Sequence, residues 1–214
     1  MTSEDLDPKA RLLEATMAYV SRHGVNELTL RRLAAALGTS HRMLVYHFGS
    51  RDGLLVQVVR EVERRQRLAL QGLFADPTLS VSQLIRLGWS RFADPALWPQ
   101  ERLFFEVYAH ALQGRPHATA LLADIVDAWL EPLATTARRD GLSEEDALAE
   151  ARLALAVTRG LLLDLLATGA REAADRAIER FILGYEARVG AAAAACTALP
   201  SPSAAAEGGC EADG

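Results

Sequence analysis

Leucine and alanine recur three and four positions apart along most of the chain, and no stretch alternates apolar and polar residues for long enough to read as a strand. β-branched and aromatic residues are sparse, which also favours helix. Gly and Pro mark the breaks. A first helix is expected to start at Asp7-Pro8, with Asp as N-cap and Pro in the first turn, and to stop at Gly24. Its inner face holds Leu12, Leu13, Thr16 and Val20. A second helix follows Thr29, turns Leu30, Leu33, Ala34 and Leu37 inward, and ends at Gly38. A third starts at Thr39 or Ser40 and ends near Phe48, and a fourth spans about Arg51 to Phe74. Later breaks delimit helices over 79–93, 96–113, 117–139, 143–168 and 172–190. The prediction is an all-α chain of about nine helices. Residues 1–52 form a three-helix head and 53–190 a helical body. Residues 191–214, rich in Ala, Gly, Ser and Pro, are expected to be a disordered tail.

Charge adds a second layer. The net charge of the 214 residues is −5, but residues 8–52 hold seven Lys or Arg against three carboxylates, a net of +4 that leaves −9 elsewhere. A cationic head on an anionic body suits a polyanionic partner. Charged residues interrupt every apolar run before it reaches the ~18 residues of a membrane span. The acidic N-terminus lacks the features of a secretory leader, so a cytoplasmic protein with no membrane association is expected. The two cysteines, Cys196 and Cys210, are too few for a disulfide scaffold. No Gly-rich phosphate loop, His-Glu-x-x-His, Gly-x-Ser-x-Gly or Cys-x-x-Cys occurs. Glu106 and His110 have metal-compatible spacing but stand alone. No enzymatic activity, cofactor or metal site is expected.

Residues 29–48 carry the most information. A short amphipathic helix meets Gly38, which readily adopts positive φ, and a second short helix follows. That is a helix-turn-helix, whose second rod fits the ~12 Å major groove of DNA. Thr39, Ser40, His41 and Arg42 begin that rod, and all can donate hydrogen bonds to base edges or phosphates. Arg42 suits bidentate contact with guanine. Met43, Leu44 and Phe48 are expected to anchor the helix to its own domain. The helix starts near Thr29 and Arg51 offer amides, a hydroxyl and a guanidinium to phosphate oxygens.

The same residues resemble a known family. Leu12-Leu13, Gly24, Thr29-Leu30-Arg31-Arg32-Leu33-Ala34, Gly38-Thr39-Ser40 and Tyr46-His47-Phe48-Gly49-Ser50-Arg51-Asp52-Gly53-Leu54 are similar to the DNA-binding head of TetR-type transcriptional regulators. The resemblance is specific over roughly residues 8–56 and adds Arg31, Tyr46 and His47 to the candidate DNA-binding set. Two positions depart from it. The family's phosphate-binding tyrosine falls seven places after the turn glycine; that place holds Val45, and Tyr46 comes one later. The usual lysine four residues past His47 is Arg51, which keeps the charge. The resemblance implies a homodimer that sets two heads into successive major grooves of a palindromic operator, and a body that binds a small-molecule effector. Effector binding then releases double-stranded DNA, the behaviour of a repressor.

The body supplies weaker signals. Trp89, Phe92, Trp98, Phe104, Phe105, Tyr108 and Trp129 gather in its middle helices, where aromatics with a few polar groups suit either a pocket lining or plain core packing. Trp89, Phe92, Trp98, Phe105, Tyr108, Trp129 and Arg159 are the pocket candidates. His110, Gln113, His117 and Asp164 are further polar points. Residues 153–166 are apolar nearly all round one helix, which calls for burial on more than one side. Leu155, Leu162 and Leu166, with Phe181 and Tyr185 on the last helix, are candidates for a four-helix dimer seam. The competing reading is a helical small-molecule-binding protein or enzyme whose helix-turn-helix is vestigial.

Overall fold

The computed structural model describes residues 7–24, 28–119, 122 and 125–197, and every regular element among them is helical. In chain order these are α1 (Pro8–His23), α2 (Leu30–Ala36), α3 (His41–Phe48), α4 (Arg51–Ala75), α5 (Val81–Phe92), a 3-10 turn (Pro95–Leu97), α6 (Trp98–Leu112), α7 (Pro116–Thr119), α8 (Asp127–Arg139), α9 (Glu144–Thr168) and α10 (Arg171–Thr197). The single helix expected over 117–139 is thus two, the short α7 and then α8. The last helix runs on through the alanines of 191–195 to Thr197, because Ala is the strongest helix former. Residues 191–197 are therefore helix rather than tail; the remainder of that segment, with Cys210, lies outside the described residues, as do the side chains of Cys196 and His117.

Local chemistry sets the boundaries. Thr29 Oγ1 accepts from the Arg32 N–H at 3.2 Å, and Ser40 Oγ from the Met43 N–H at 3.1 Å. Ser50, Ser80 and Ser143 cap α4, α5 and α9 in the same way. Each such cap satisfies an amide that the helix leaves unpaired. Asp7 holds the N-cap position of α1 but makes no side-chain cap; its backbone carbonyl accepts from Arg11 N–H instead. Gly53, in the first turn of α4, has no room for a side chain: a Cβ there would stand 2.3 Å from the Phe48 carbonyl oxygen.

Two apolar clusters form the interior. The first joins Val20 of α1, Leu33 of α2, Leu44 of α3, Leu54, Leu55 and Val58 of α4, and Leu103 and Val107 of α6. It runs without interruption across the expected boundary at residue 52. The second joins α5, α8, α9 and α10 through Ile85, Trp89, Leu130, Leu165, Ile178, Ile182 and Tyr185. The polar atoms of its two large aromatics are paired: Tyr185 donates its hydroxyl to Asp140 at 2.9 Å, and Trp89 Nε1 donates to Asp175 at 2.6 Å. The head is also pinned to the body by side chains. Gln100 of α6 donates to Ser21 Oγ of α1 at 3.0 Å, Arg65 of α4 pairs with Glu14 of α1, and Arg51 lies 3.8 Å from Glu106 of α6.

Candidate nucleic-acid interface and internal cavity

Gly38, at φ +64°, reverses the chain after α2, and the Thr39 N–H returns to the Ala34 carbonyl at 3.0 Å. α3 is then held to the head by Leu44 and Phe48, both buried. Its other side faces outward, with His41, Arg42, Val45 and Tyr46 exposed and Tyr46, at 79%, the most open large apolar residue among those described. This outward face combines a guanidinium, an imidazole and a phenol, groups that bind base edges and phosphates. Arg31, on α2, is exposed as well, and Ser40 is exposed at the start of α3.

Other candidates stand differently. Met43, expected to anchor α3, is 39% exposed, because one residue before Leu44 is a rotation of about 100° away from the buried stripe. Thr29 and Ser40 use their hydroxyl oxygens as caps, and Thr39 is half-buried. His47 is half-buried, edge-on to Tyr46 at 5.0 Å, and its Nε2 is enclosed without a hydrogen-bond partner. Arg51, expected at a phosphate, turns inward: its Nε donates to the Leu28 carbonyl at 2.7 Å, and its guanidinium also meets Asp52 and Glu106. The positive charge that α4 presents at its start is therefore largely committed to joining head and body.

The body holds two adjoining, partly open cavities of about 50 and 40 Å³. Phe92, Trp129, Leu155 and Thr158 belong to the walls of both. The first is otherwise apolar, bounded by Leu70, Phe74, Leu84, Ile85, Trp89 and Leu133. The second has polar walls: Glu63 and Gln66 from α4, Glu101 from α6 and Arg159 from α9, with Phe104 beside them. Trp129 Nε1 donates to Glu63 at 2.8 Å, the Gln66 amide donates to Glu101, and Arg159 donates to the Ile125 carbonyl at 2.6 Å. The Arg159 guanidinium lies over the rings of Phe104 and Tyr108, 5.3 and 6.0 Å from their centroids. Burial raises the Glu63 carboxyl above its usual range against the pull of Trp129, Arg159 and Arg67. Burial, reinforced by the charge of Glu63, pushes Glu101 up to about 7. An outer groove of about 300 Å³, lined by Leu68, Phe74, Trp129 and Pro132 with Arg64 and Arg67, shares Phe74 and Trp129 with the inner walls.

Four of the seven pocket candidates, Trp89, Phe92, Trp129 and Arg159, line these cavities. Trp98, Phe105 and Tyr108 do not. Trp98 donates to the Ala93 carbonyl and packs under Arg102, and Phe105 and Tyr108 flank Phe104. On α6 it is Phe104 that lines the cavity, while Phe105 packs against both apolar clusters. The carboxylates and Gln66 were missed, because a charged helical residue in sequence reads as a solvated one.

The proposed dimer residues also move. Leu162 and Tyr185 are buried in this chain's own core, Leu155 faces the cavities, and Leu166 and Phe181 are half-buried against the second cluster. The exposed leucines of α9 and α10 are Leu148, Leu153, Leu163 and Leu183.

A three-helix head with an outward second rod, set on an all-helical body, defines a helix-turn-helix protein. Residues 12–58 match the family described as bacterial regulatory proteins, tetR family. The HTH-type transcriptional regulatory protein RaaS of Mycobacterium tuberculosis is 34% identical over 41% of this chain and 42% of its own length. The HTH-type transcriptional repressor AcnR of Corynebacterium efficiens is 26% identical over 65% of this chain and 88% of its own. The chain thus spans less than half of the first of these relatives. A transcriptional regulator from Pseudomonas aeruginosa PAO1 has the same fold at TM-score 0.68 and 19% identity, covering 90% of this chain and 96% of that one. BioQ, in a crystal structure with its double-stranded DNA operator, aligns at TM-score 0.56 and 22% identity over 83% of this chain and 99% of that one. The match to the tetR family thus covers the head, residues 12–58, and the chain as a whole shares the fold of these regulators.

Proposed function

We propose that the protein is a DNA-binding transcriptional repressor that acts as a homodimer and leaves a palindromic operator when a small molecule occupies the inner cavities. The observation that carries this reading is the exposed face of α3, where His41, Arg42 and Tyr46 stand outward on a helix anchored from behind by Leu44 and Phe48. Arg42 reads a guanine; Ser40, His41, Tyr46 and Arg31 bind bases or phosphates nearby. Two heads then enter major grooves about 34–36 Å apart. Leu153 and Leu163 of α9 and Leu183 of α10 supply the apolar surface for a four-helix seam between copies. The head, residues 1–52, reads DNA, while the body, 53–190, holds the effector and the partner.

The route from effector to DNA follows from shared helices. α4 carries Glu63 and Gln66 at the cavity and Arg65 against α1; α6 carries Glu101 and Phe104 at the cavity and Gln100 against α1. A guest that displaces α4 or α6 therefore moves the head. The reading as a carrier or enzyme with a vestigial helix pair is disfavoured by the polar outward face that α3 keeps. The protein works in the cytoplasm, consistent with there being no helix among the described residues long and apolar enough to cross a membrane.

The test is binding to the intergenic DNA upstream of the protein's own gene. Sub-micromolar, salt-sensitive binding to a palindrome is expected, weakened by ~1–3 kcal/mol in Arg42→Ala. Equal affinity for random DNA of the same length overturns operator recognition.

A further inference from the structure

The inner cavity carries an imbalance of charge. Glu63, Gln66 and Glu101 are all nearly fully buried, with Glu101 at 4% exposure. A buried carboxylate is costly unless a cation or several donors answer it. Glu63 is answered: Trp129 donates to it, and Arg67 stands 3.7 Å away. Glu101 receives the Gln66 amide alone, and among the described residues no Lys or Arg nitrogen lies within 4 Å of its carboxylate. The single guanidinium in the wall, Arg159, is committed to the Ile125 carbonyl and to the faces of Phe104 and Tyr108. With Arg67 turned to Glu63, the carboxylate left without a close counter-charge is Glu101, on which Arg159 and Arg91 act only from beyond contact, and the rest of the wall is apolar, with Phe92, Phe104 and Trp129 its aromatic members. The outer groove does not reverse this balance, since Arg64 is paired with Glu61 and Arg67 lies beside Glu63.

An anionic guest in this space meets Glu63 and Glu101 at close range in a medium of low polarity, where like charges repel strongly. A neutral guest leaves Glu101 to keep its proton, with the Gln66 amide as its one donor. An organic cation supplies what the site lacks and gains from the aromatic faces as well. We infer that the effector of this protein is an organic cation, an ammonium-bearing molecule with an apolar or aromatic body, seated with its charge against Glu101 and Glu63 and its body against Phe92, Phe104 and Trp129. The inference rests on the reading of the chain as a ligand-released regulator and names the chemical class of its ligand.

Three probes of nearly equal shape separate the classes: phenyltrimethylammonium, its neutral carbon isostere tert-butylbenzene, and benzoate. Binding to the full-length protein is followed by tryptophan fluorescence and calorimetry, and release is followed on operator DNA. Phenyltrimethylammonium is expected to bind at least about tenfold more tightly than tert-butylbenzene, to exceed benzoate by more, and to weaken the operator complex. In Glu101→Gln that preference falls by about tenfold, while tert-butylbenzene binds as before and so reports an intact cavity. Glu63→Gln lowers the preference in the same direction. Tighter binding of tert-butylbenzene or benzoate overturns the inference, as does an unchanged preference in both variants or no binding of the cation at millimolar concentration. If operator DNA is still bound normally in those cases, the regulator reading stands and only the ligand class fails. A wild-type protein that binds the cation but ignores operator DNA has the opposite meaning.

Discussion

The two halves of α4 are buried on different terms. From Leu54 to Val62 the helix turns only aliphatic side chains inward, and they join α1, α2, α3 and α6 in one cluster. Immediately beyond, the inward positions are Glu63 and Gln66, and the wall they face is a cavity rather than packed side chains. Aliphatic burial is favourable in one arrangement and tolerates little change. Buried polar groups beside open space are held less well and answer to whatever fills it. On the proposed function, the same rod is a weld at its start and a sensor further along.

The largest expected effect tests the weld. Leu54 is fully enclosed, and Leu54→Ala should lower stability by roughly 3 kcal/mol, read as a shifted midpoint in urea. A loss below about 1 kcal/mol would mean that the first half of α4 is not packed as described.

The next test concerns the sensor, and its sign is opposite. Glu101 sits near 7 in the fold, against an ordinary value of 4.5. The unfolded chain therefore gives up this proton first. The favourable contribution of the neutral carboxyl is full below about 4.5 and is lost as pH rises towards about 7. Glu101→Gln keeps the neutral state at every pH. It should match the wild type near pH 4.5 and exceed it at pH 8 by about 2–3 kcal/mol, in paired urea melts at the two pH values. Equal stability at both would show that the carboxylate is better solvated than its burial indicates.

The head was legible in the sequence because its signals are local. Thr29, Gly38 and Ser40 fix two caps and a turn within twelve residues, and each does in the structure what its side chain favours. The sensor was not legible. Glu63, Glu101 and Arg159 come from three helices far apart in the chain, and only packing brings them to one wall. Choosing Phe105 over Phe104 was an error of one position, which on a helix is about 100° of rotation. A helix apolar on nearly every side likewise does not reveal which stripe the chain keeps for itself, and among the proposed dimer residues of α9 it keeps Leu162, beside Leu165. The inward contacts of Arg51 are equally out of sight of any local pattern: beside its neighbour Asp52 they are the Leu28 carbonyl and Glu106, both far away in the chain.

The smallest expected effect lies at the junction between the two halves. Gln100→Ala removes the hydrogen bond to Ser21 and should cost only about 0.5–1 kcal/mol of stability. Its larger consequence is in transmission: the drop in operator affinity on adding phenyltrimethylammonium should shrink, while DNA binding without it stays close to wild type. An unaltered drop would place the connection in α4 alone.

The uninterrupted apolar cluster makes residue 52 a poor place to cut the protein. A peptide ending there would retain Val20, Leu33 and Leu44 but forfeit Leu54, Leu55, Val58 and Leu103, their cluster mates. It would carry a raw greasy patch into water and tend to associate with itself. Anyone transplanting this reading head onto a different sensory module must bring the opening turns of α4 with it, and must furnish a substitute for α6.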